Sequence, residues 1–381
     1  MKTVVFIDNF AHNYLGGGES FILSLADKLI ALNYQLIFVA QKHSAFYVEA
    51  QSYSDTVLAL DFSQNIPFKL AGEIRSYVAS HVQGDEIIYQ GSGFYSNIIA
   101  GLAKGEHDCL VFTQQIELED AKSAQGLSQK LNVFARRLSR KFLAPNVDRY
   151  MAVSQTLADQ LSSLSFVESK KVKVLHPVLP LESYEARQDL IEPLESLKPF
   201  EDAFCIGFLG RLEEVKNVDI LLEAFRRFVT KHQDKKFELF IAGEGSQKES
   251  LISQADSFGE ELSGHIHFLS YVDSLRFMAG IDLFCMPSKA EGLNIAVLQA
   301  HAFKVPVIAS NVGALKSTAK HKERGVLFET NSSDALFEAL EYAYKNMDQM
   351  KKYAQRGYDF VLDNFNDKDF IKKVQEFYED L

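Results

Sequence analysis

Two cations stand five residues apart in Gly210-Arg211-Leu212-Glu213-Glu214-Val215-Lys216-Asn217, which follows an apolar run and leads into a helical pattern. Arg grips phosphate through two N–H groups at once and Lys adds a point charge, so the spacing suits a metal-free clamp on a diphosphate. It equally suits a solvated pair that neutralises Glu213 and Glu214, and the residues alone leave both readings open. A second segment, from Ser288 to Ala300, sets Glu291 and Gly292 at the mouth of another helix. There Glu291 can accept hydrogens from sugar hydroxyls while the N–H groups of Leu293, Asn294 and Ile295 face a phosphate. Gln299 lies eight residues beyond Glu291, about two turns, and so on a similar helix face, as an ordinary polar surface residue also would. A third segment, Leu15-Gly16-Gly17-Gly18-Glu19, is either a flexible turn or a backbone cradle for an anion at a helix N-terminus.

Chemistry at these points requires strands to carry the loops. Short apolar runs alternate with helical patterns almost throughout: Thr3–Ile7, Gln35–Ala40, Val57–Leu60, Glu86–Tyr89, Cys109–Thr113, Arg149–Val153 and Val172–Leu175 in the first half. Such continuous runs are expected of parallel strands covered on both faces, and strand–helix alternation predicts doubly wound α/β units. Pro177, Pro180, Pro193 and Pro199 then interrupt the pattern in an acidic stretch without a strand, which reads as a linker. Alternation restarts with Phe204–Leu209, a helix over Val218–Lys231, Phe237–Ala242, Ile266–Leu269, Leu283–Met286 and Val305–Ala309. The expected division is 1–180 and 200–361, with the last helix, 362–381, returning to complete the first domain. Each chemical segment then falls at a strand end, where ligands bind in such sheets.

Composition narrows the partners. A net charge of −11 disfavours a phosphate backbone, so no nucleic acid is expected. Cys109, Cys205 and Cys285 lie singly in apolar runs and read as core thiols of a reducing compartment. The opening MKTVVFID reads as a first strand, and no run reaches the ~18 apolar residues of a membrane span, so a cytoplasmic protein is expected. GxGxxG after the first strand, GxxxxGK[ST], HExxH and GxSxG are all absent. Asp367-Lys368-Asp369 spells a metal-binding DxD, but it opens a polar terminal helix, where acids cap the positive end. No metal is expected.

Leu127, Leu131, Phe134, Leu138 and Phe142 recur at helical spacing, with Lys130, Arg136, Arg137, Arg140 and Lys141 on much of the opposite side. In an acidic protein this local reversal suits peripheral contact of 127–142 with an anionic membrane, at its inner face. The alternative is an apolar stripe packed on its own sheet with solvated charges.

Taken together, the glycine loop with Glu19, the run MAVSQTLADQL around Ser154, Leu175–Val178, Gly210–Asn217, Ile241–Gly245 and Ser288–Ala300 resemble glycosyltransferase family 4, retaining sugar transferases of the GT-B fold. The resemblance covers both halves. It implies two Rossmann-like doubly wound domains facing a cleft, and a metal-independent, sugar-nucleotide-dependent hexosyltransferase without a cofactor. Arg211 and Lys216 would hold the donor diphosphate, Glu291 would bind donor-sugar hydroxyls, and Gly16, Gly17 and Gly18 would approach the phosphates. Gly210 and Gly292 fall in the same donor loops, and Gly243, Glu244, Tyr271 and Val272 fall where relatives hold the nucleobase. The chain departs from the pattern at Gln299, where the family's Glu-x7-Glu signature ends in a ribose-binding Glu. It departs again at Thr113-Gln114-Gln115, where many relatives carry a His.

The resulting expectation is transfer of a sugar, from a UDP-sugar by preference, to a glycan, lipid-linked or protein acceptor in bacterial cell-envelope polysaccharide or glycoconjugate synthesis. The alternatives are a catalytically silent GT-B partner subunit and a sugar-nucleotide epimerase.

Overall fold

The computed structural model describes the chain apart from residues 64–65, 116–117, 119–126, 180, 182–193, 195–202 and 367–368, together with the side chains of 127–130 and 132. Most of the proposed linker, and part of the Asp367–Asp369 motif, therefore lie outside the described residues. The chain forms two compact units, 1–178 with 368–381, and 179–367.

In the first unit the described strands are β1 (Lys2–Asp8), β2 (Gln35–Gln41), β3 (Val57–Leu60), β4 (Glu86–Gly91), β5 (Cys109–Gln114), β6 (Arg149–Ala152) and β7 (Val172–Val174). They form one sheet in the order β3-β2-β1-β4-β5-β6-β7, with every pairing parallel. Val4, Val5 and Ile7 of β1, and Ile37, Phe38 and Val39 of β2, are wholly buried, because helices between successive strands cover both sheet faces. The helix Phe370–Glu379 belongs to this unit. The Tyr378 hydroxyl donates to Gln90 Oε1, Arg149 donates to the Phe377 carbonyl, and Lys2 Nζ reaches the Leu381 carbonyl at 2.6 Å.

The second unit repeats the plan with β8 (Phe204–Leu209), β9 (Phe237–Ala242), β10 (Ile266–Leu269), β11 (Leu283–Met286), β12 (Val307–Ser310) and β13 (Val326–Phe328), in the order β10-β9-β8-β11-β12-β13. Its core gathers Phe208, Phe225, Phe228, Phe240, Phe277 and Phe284, all fully buried. The helix Val218–Lys231 directs Leu221, Leu222, Phe225 and Phe228 inward at helical spacing.

Two expectations need correction, and one alternative reading falls. The strand expected over Val305–Ala309 begins at Val307, because Pro306 has no N–H for the ladder and only its carbonyl pairs, accepting from Phe284 N–H. The return to the first unit comes at 368 rather than 362. The helix Met347–Asn364 buries Val361 in the second unit, and Leu179 N–H donates to the Phe365 carbonyl at 2.8 Å. The helix Leu127–Leu143 does not pack its apolar stripe on the sheet: Leu131, Phe134, Leu138 and Phe142 are all exposed.

Candidate functional site

In both sheets the strand order reverses beside the first strand of the unit, between β1 and β4 and again between β8 and β11. Loops leaving the strand ends there diverge to opposite sides and open a crevice for a ligand. At the second unit's reversal stand the loop 210–217, after β8, and the loop 287–294, after β11.

Backbone pairing fixes the first loop. Gly210 N–H donates to the Ala242 carbonyl at 3.0 Å and Leu212 N–H to the Glu244 carbonyl at 2.8 Å. At the crossing, Gly243 has φ of 143°, and a Cβ there would lie 1.9 Å from the Gly210 carbonyl oxygen, so only glycine fits. The two loops are then joined to each other. Lys289 N–H donates to the Val215 carbonyl at 2.8 Å, Lys289 Nζ meets Glu214 Oε1 at 3.1 Å, and Asn217 Nδ2 donates to the Pro287 carbonyl at 3.2 Å.

Lys216 Nζ lies 2.5 Å from Glu291 Oε1, with the two side chains only 14% and 7% exposed. The same oxygen accepts from Ser288 Oγ at 2.6 Å and from Asn294 Nδ2 at 2.9 Å. Asn294 uses its other atom, Oδ1, to cap the helix Ile295–Ala302 through Val297 N–H at 3.0 Å. Three donors thus converge on Oε1, while Oε2 has no partner among the described residues and stays available to an incoming hydroxyl. Beside it the helix opens with first-turn N–H groups that have no carbonyl four residues back within the helix. Gly292 is buried, and Leu293 and Ile295 are half-buried.

The cations are therefore unequal. Lys216 is committed to Glu291, whereas half-buried Arg211 forms no ion pair among the described residues. The reading of both as solvated partners of Glu213 and Glu214 does not hold. Glu213 accepts from Ser246 N–H at 3.1 Å and Ser246 Oγ at 2.6 Å, and Glu214 pairs with Lys289. With Lys216 and Glu291 mutually neutralised, Arg211 and the helix N-terminus supply the net positive potential for an anion.

The remaining second-unit candidates lie at the same strand-end edge. Glu244 Oε1 meets Lys248 Nζ at 2.6 Å, a hydrogen bond that holds this carboxyl below its ordinary range. Lys248 Nζ also reaches Ser270 Oγ at 3.4 Å, next to Tyr271, which is 51% exposed, and Val272, which packs on the core. Gln299 Nε2 donates to Ser274 Oγ at 3.0 Å. Gln299 is thus not a free surface amide. Ser274, Ser288 and Lys289 were not assigned roles from the sequence. Ser288 sits three residues before Glu291, a spacing that could have pointed to it, whereas nothing local links Ser274 to a residue 25 positions away.

The first-unit glycine loop is differently furnished. Gly16 precedes the helix Gly17–Ala31, Gly17 is exposed, and a Cβ on Gly18 would lie 2.0 Å from Gln115 Oε1, so glycine there makes room for Gln115. Buried Asp8 and Glu19 stand nearby, and no cation among the described residues pairs with them. Asp8 accepts from Ser92 Oγ at 2.5 Å and from Phe10 N–H at 2.9 Å. Burial, reinforced by the Glu19 charge, pushes Asp8 up to about 7.

Residues 15–183 match the model for Glycosyltransferase Family 4, and residues 192–360 match the model for Glycosyl transferases group 1. An uncharacterized glycosyltransferase of Methanocaldococcus jannaschii is 23% identical over 306 residues, 78% of this chain and 75% of that one. The O-antigen biosynthesis glycosyltransferase WclY of Escherichia coli is 24% identical over 182 residues, 48% of each chain, so this second match spans about half the relative's length. The Staphylococcus aureus capsular polysaccharide biosynthesis glycosyltransferase CapM is 22% identical over 233 residues, 60% of each chain. Among solved structures, Anabaena HepE in complex with UDP-glucose superposes with a TM-score of 0.79 at 15% identity over 100% of both chains, a likeness of fold. With two parallel-sheet units of the same strand order, and one family model on each half, the chain belongs to the family 4 glycosyltransferases and has their GT-B fold.

Proposed function

We propose that the protein transfers a sugar, with retention of anomeric configuration, from a nucleoside-diphosphate donor to a glycan, lipid-linked or protein acceptor, the donor lying mostly on the second unit. One observation carries this reading: Glu291, with one oxygen saturated by Lys216, Ser288 and Asn294 and the other open, stands at a strand-order reversal beside a helix N-terminus and Arg211. Such a site offers an acceptor to a sugar hydroxyl and positive potential to a diphosphate. UDP is the favoured nucleotide, supported by the fold neighbour solved with UDP-glucose. Relatives named for O-antigen and capsular polysaccharide biosynthesis support a cell-envelope product.

In this reading the bond between the anomeric carbon and the β-phosphate oxygen breaks while the acceptor oxygen bonds to the same carbon from the same face. The acceptor proton passes to the departing phosphate. Arg211 and the N–H groups around Leu293–Ile295 stabilise the charge that develops on the leaving group, so neither a metal nor a cofactor is required. Lys216 acts through Glu291, fixing the carboxylate that orients the sugar. Gly16 to Gly18 contribute backbone rather than charge.

Gln299 in place of the family's Glu favours one rival, a silent partner subunit. Incubation with a panel of UDP- and GDP-sugars, with release of the nucleoside diphosphate as the readout, separates the two. Turnover of one donor that falls on the order of 10²–10³-fold in Arg211→Ala supports the transferase. Absence of turnover with every donor and acceptor supports the silent subunit. Conversion of the donor sugar without an acceptor would instead reveal an epimerase.

A further inference from the structure

The helix Leu127–Leu143 is turned the opposite way from an ordinary surface helix. Leu131, Phe134, Leu138 and Phe142 are 58%, 65%, 56% and 76% exposed, a continuous stripe at helical spacing. Two of its cations instead face the protein, the Arg136 and Arg140 guanidinium carbons lying 5.2 Å and 4.9 Å from the Phe94 ring centroid. Arg137 and Lys141 are exposed and flank the stripe. The segment holds five Lys and Arg and no acid, within a chain of net charge −11.

We infer that this helix lies in the surface of an anionic bilayer, with Leu131, Phe134, Leu138 and Phe142 entering the acyl boundary and Arg137 and Lys141 at the headgroup phosphates. Charge selects the occupant. A net charge of −11 opposes approach to anionic lipid, whereas this segment, with five Lys and Arg and no acid, favours it, and a second copy of the chain would bring its own equally basic segment against the first. The length fits as well: 17 residues at about 1.5 Å each lay roughly 25 Å of helix along the surface, and the segment is too charged to span. The inference rests on this helix alone and stands apart from the transfer chemistry.

The test is sedimentation of the full chain with vesicles of phosphatidylcholine alone and of phosphatidylcholine with phosphatidylglycerol at equal amounts, at low and high salt. The wild type should bind the anionic vesicles at least tenfold better than the neutral ones, with the advantage falling as salt rises. Phe134→Ser with Phe142→Ser should lose at least tenfold of that binding, and Arg137→Glu with Lys141→Glu should abolish the lipid selectivity. Both pairs are exposed, so unchanged melting temperatures are expected to certify the fold. Absence of binding by the wild type, or equal binding by folded variants, would overturn the inference. So would a wild-type dimer in light scattering that the Phe134→Ser, Phe142→Ser variant dissociates.

Discussion

Lys216 Nζ and Glu291 Oε1 meet at 2.5 Å, joining two loops 75 residues apart in sequence at the end of one sheet. The pair is mostly buried, and Ser288 and Asn294 complete it. Removing one partner of such a pair leaves the other desolvated without its counter-charge. Lys216→Ala should therefore lower stability by about 1–3 kcal/mol, the cost of leaving a buried group short of a bond, whereas Arg211→Ala should leave the melting temperature nearly unchanged. Denaturant titration of both variants checks this contrast, and equal, small effects would mean that the pair does not organise the loops.

Gln299 and Ser274 form a second cross-loop contact, 3.0 Å between Nε2 and Oγ. If the amide acts by holding Ser274 beside the Tyr271–Val272 segment, Gln299→Ala and Ser274→Ala should weaken UDP binding to a similar degree. About 0.5–1.5 kcal/mol is expected for a neutral hydrogen bond. The double variant should then cost little more than either single one. Additive losses in a calorimetric cycle would mean that the two residues act separately.

Asp8 gives a pH signature. Its pKa in the folded chain is raised to about 7 from 3.8, chiefly by burial and secondarily by Glu19, so between those values the folded state holds a proton that the unfolded state releases. The resulting stabilisation is fully present below about pH 4 and is lost as pH rises through about 7. Asp8→Asn cannot titrate. Its stability relative to the wild type should climb from pH 4 to pH 7 and then level off, a course that melting curves across pH 4–8 would record. A constant difference would place the Asp8 carboxyl in a wetter, ordinary environment.

Metal independence is the outcome expected from the charge placement proposed above. With Arg211 and the helix N-terminus neutralising the leaving diphosphate, sugar transfer should persist in excess EDTA at close to its untreated rate. Loss of activity on chelation, restored by Mg²⁺ or Mn²⁺, would assign that neutralisation to a cation.

Much of this architecture was legible because parallel strands buried on both faces must be continuous apolar runs. Phe204–Leu209, Phe237–Ala242, Ile266–Leu269 and Leu283–Met286 are bounded in the structure as their sequences indicate. Val326–Phe328 went unseen, since three residues are too few to display a pattern. The candidate loops were legible through residue type: an Arg, a Lys and a Glu placed after strands that reverse the sheet order. What the cations do was not, because pairing depends on distance in space. Glu213 and Glu214 looked like the natural partners of Arg211 and Lys216, yet Ser246 and Lys289 hold them. The helix Leu127–Leu143 shows the same limit. Periodicity revealed its apolar stripe but not which side faces the protein, which in the structure is the side of Arg136 and Arg140, set over the Phe94 ring.

The central claim is that the second unit's loops grip a nucleoside diphosphate through Arg211 while Lys216 is committed to Glu291. Its most direct test is calorimetric titration of UDP into the wild type and Arg211→Ala with EDTA present. The account predicts one site on the wild type and a loss of about 1.5–3 kcal/mol, tenfold or more in affinity, in the folded variant. Equal affinity in the two proteins would contradict it.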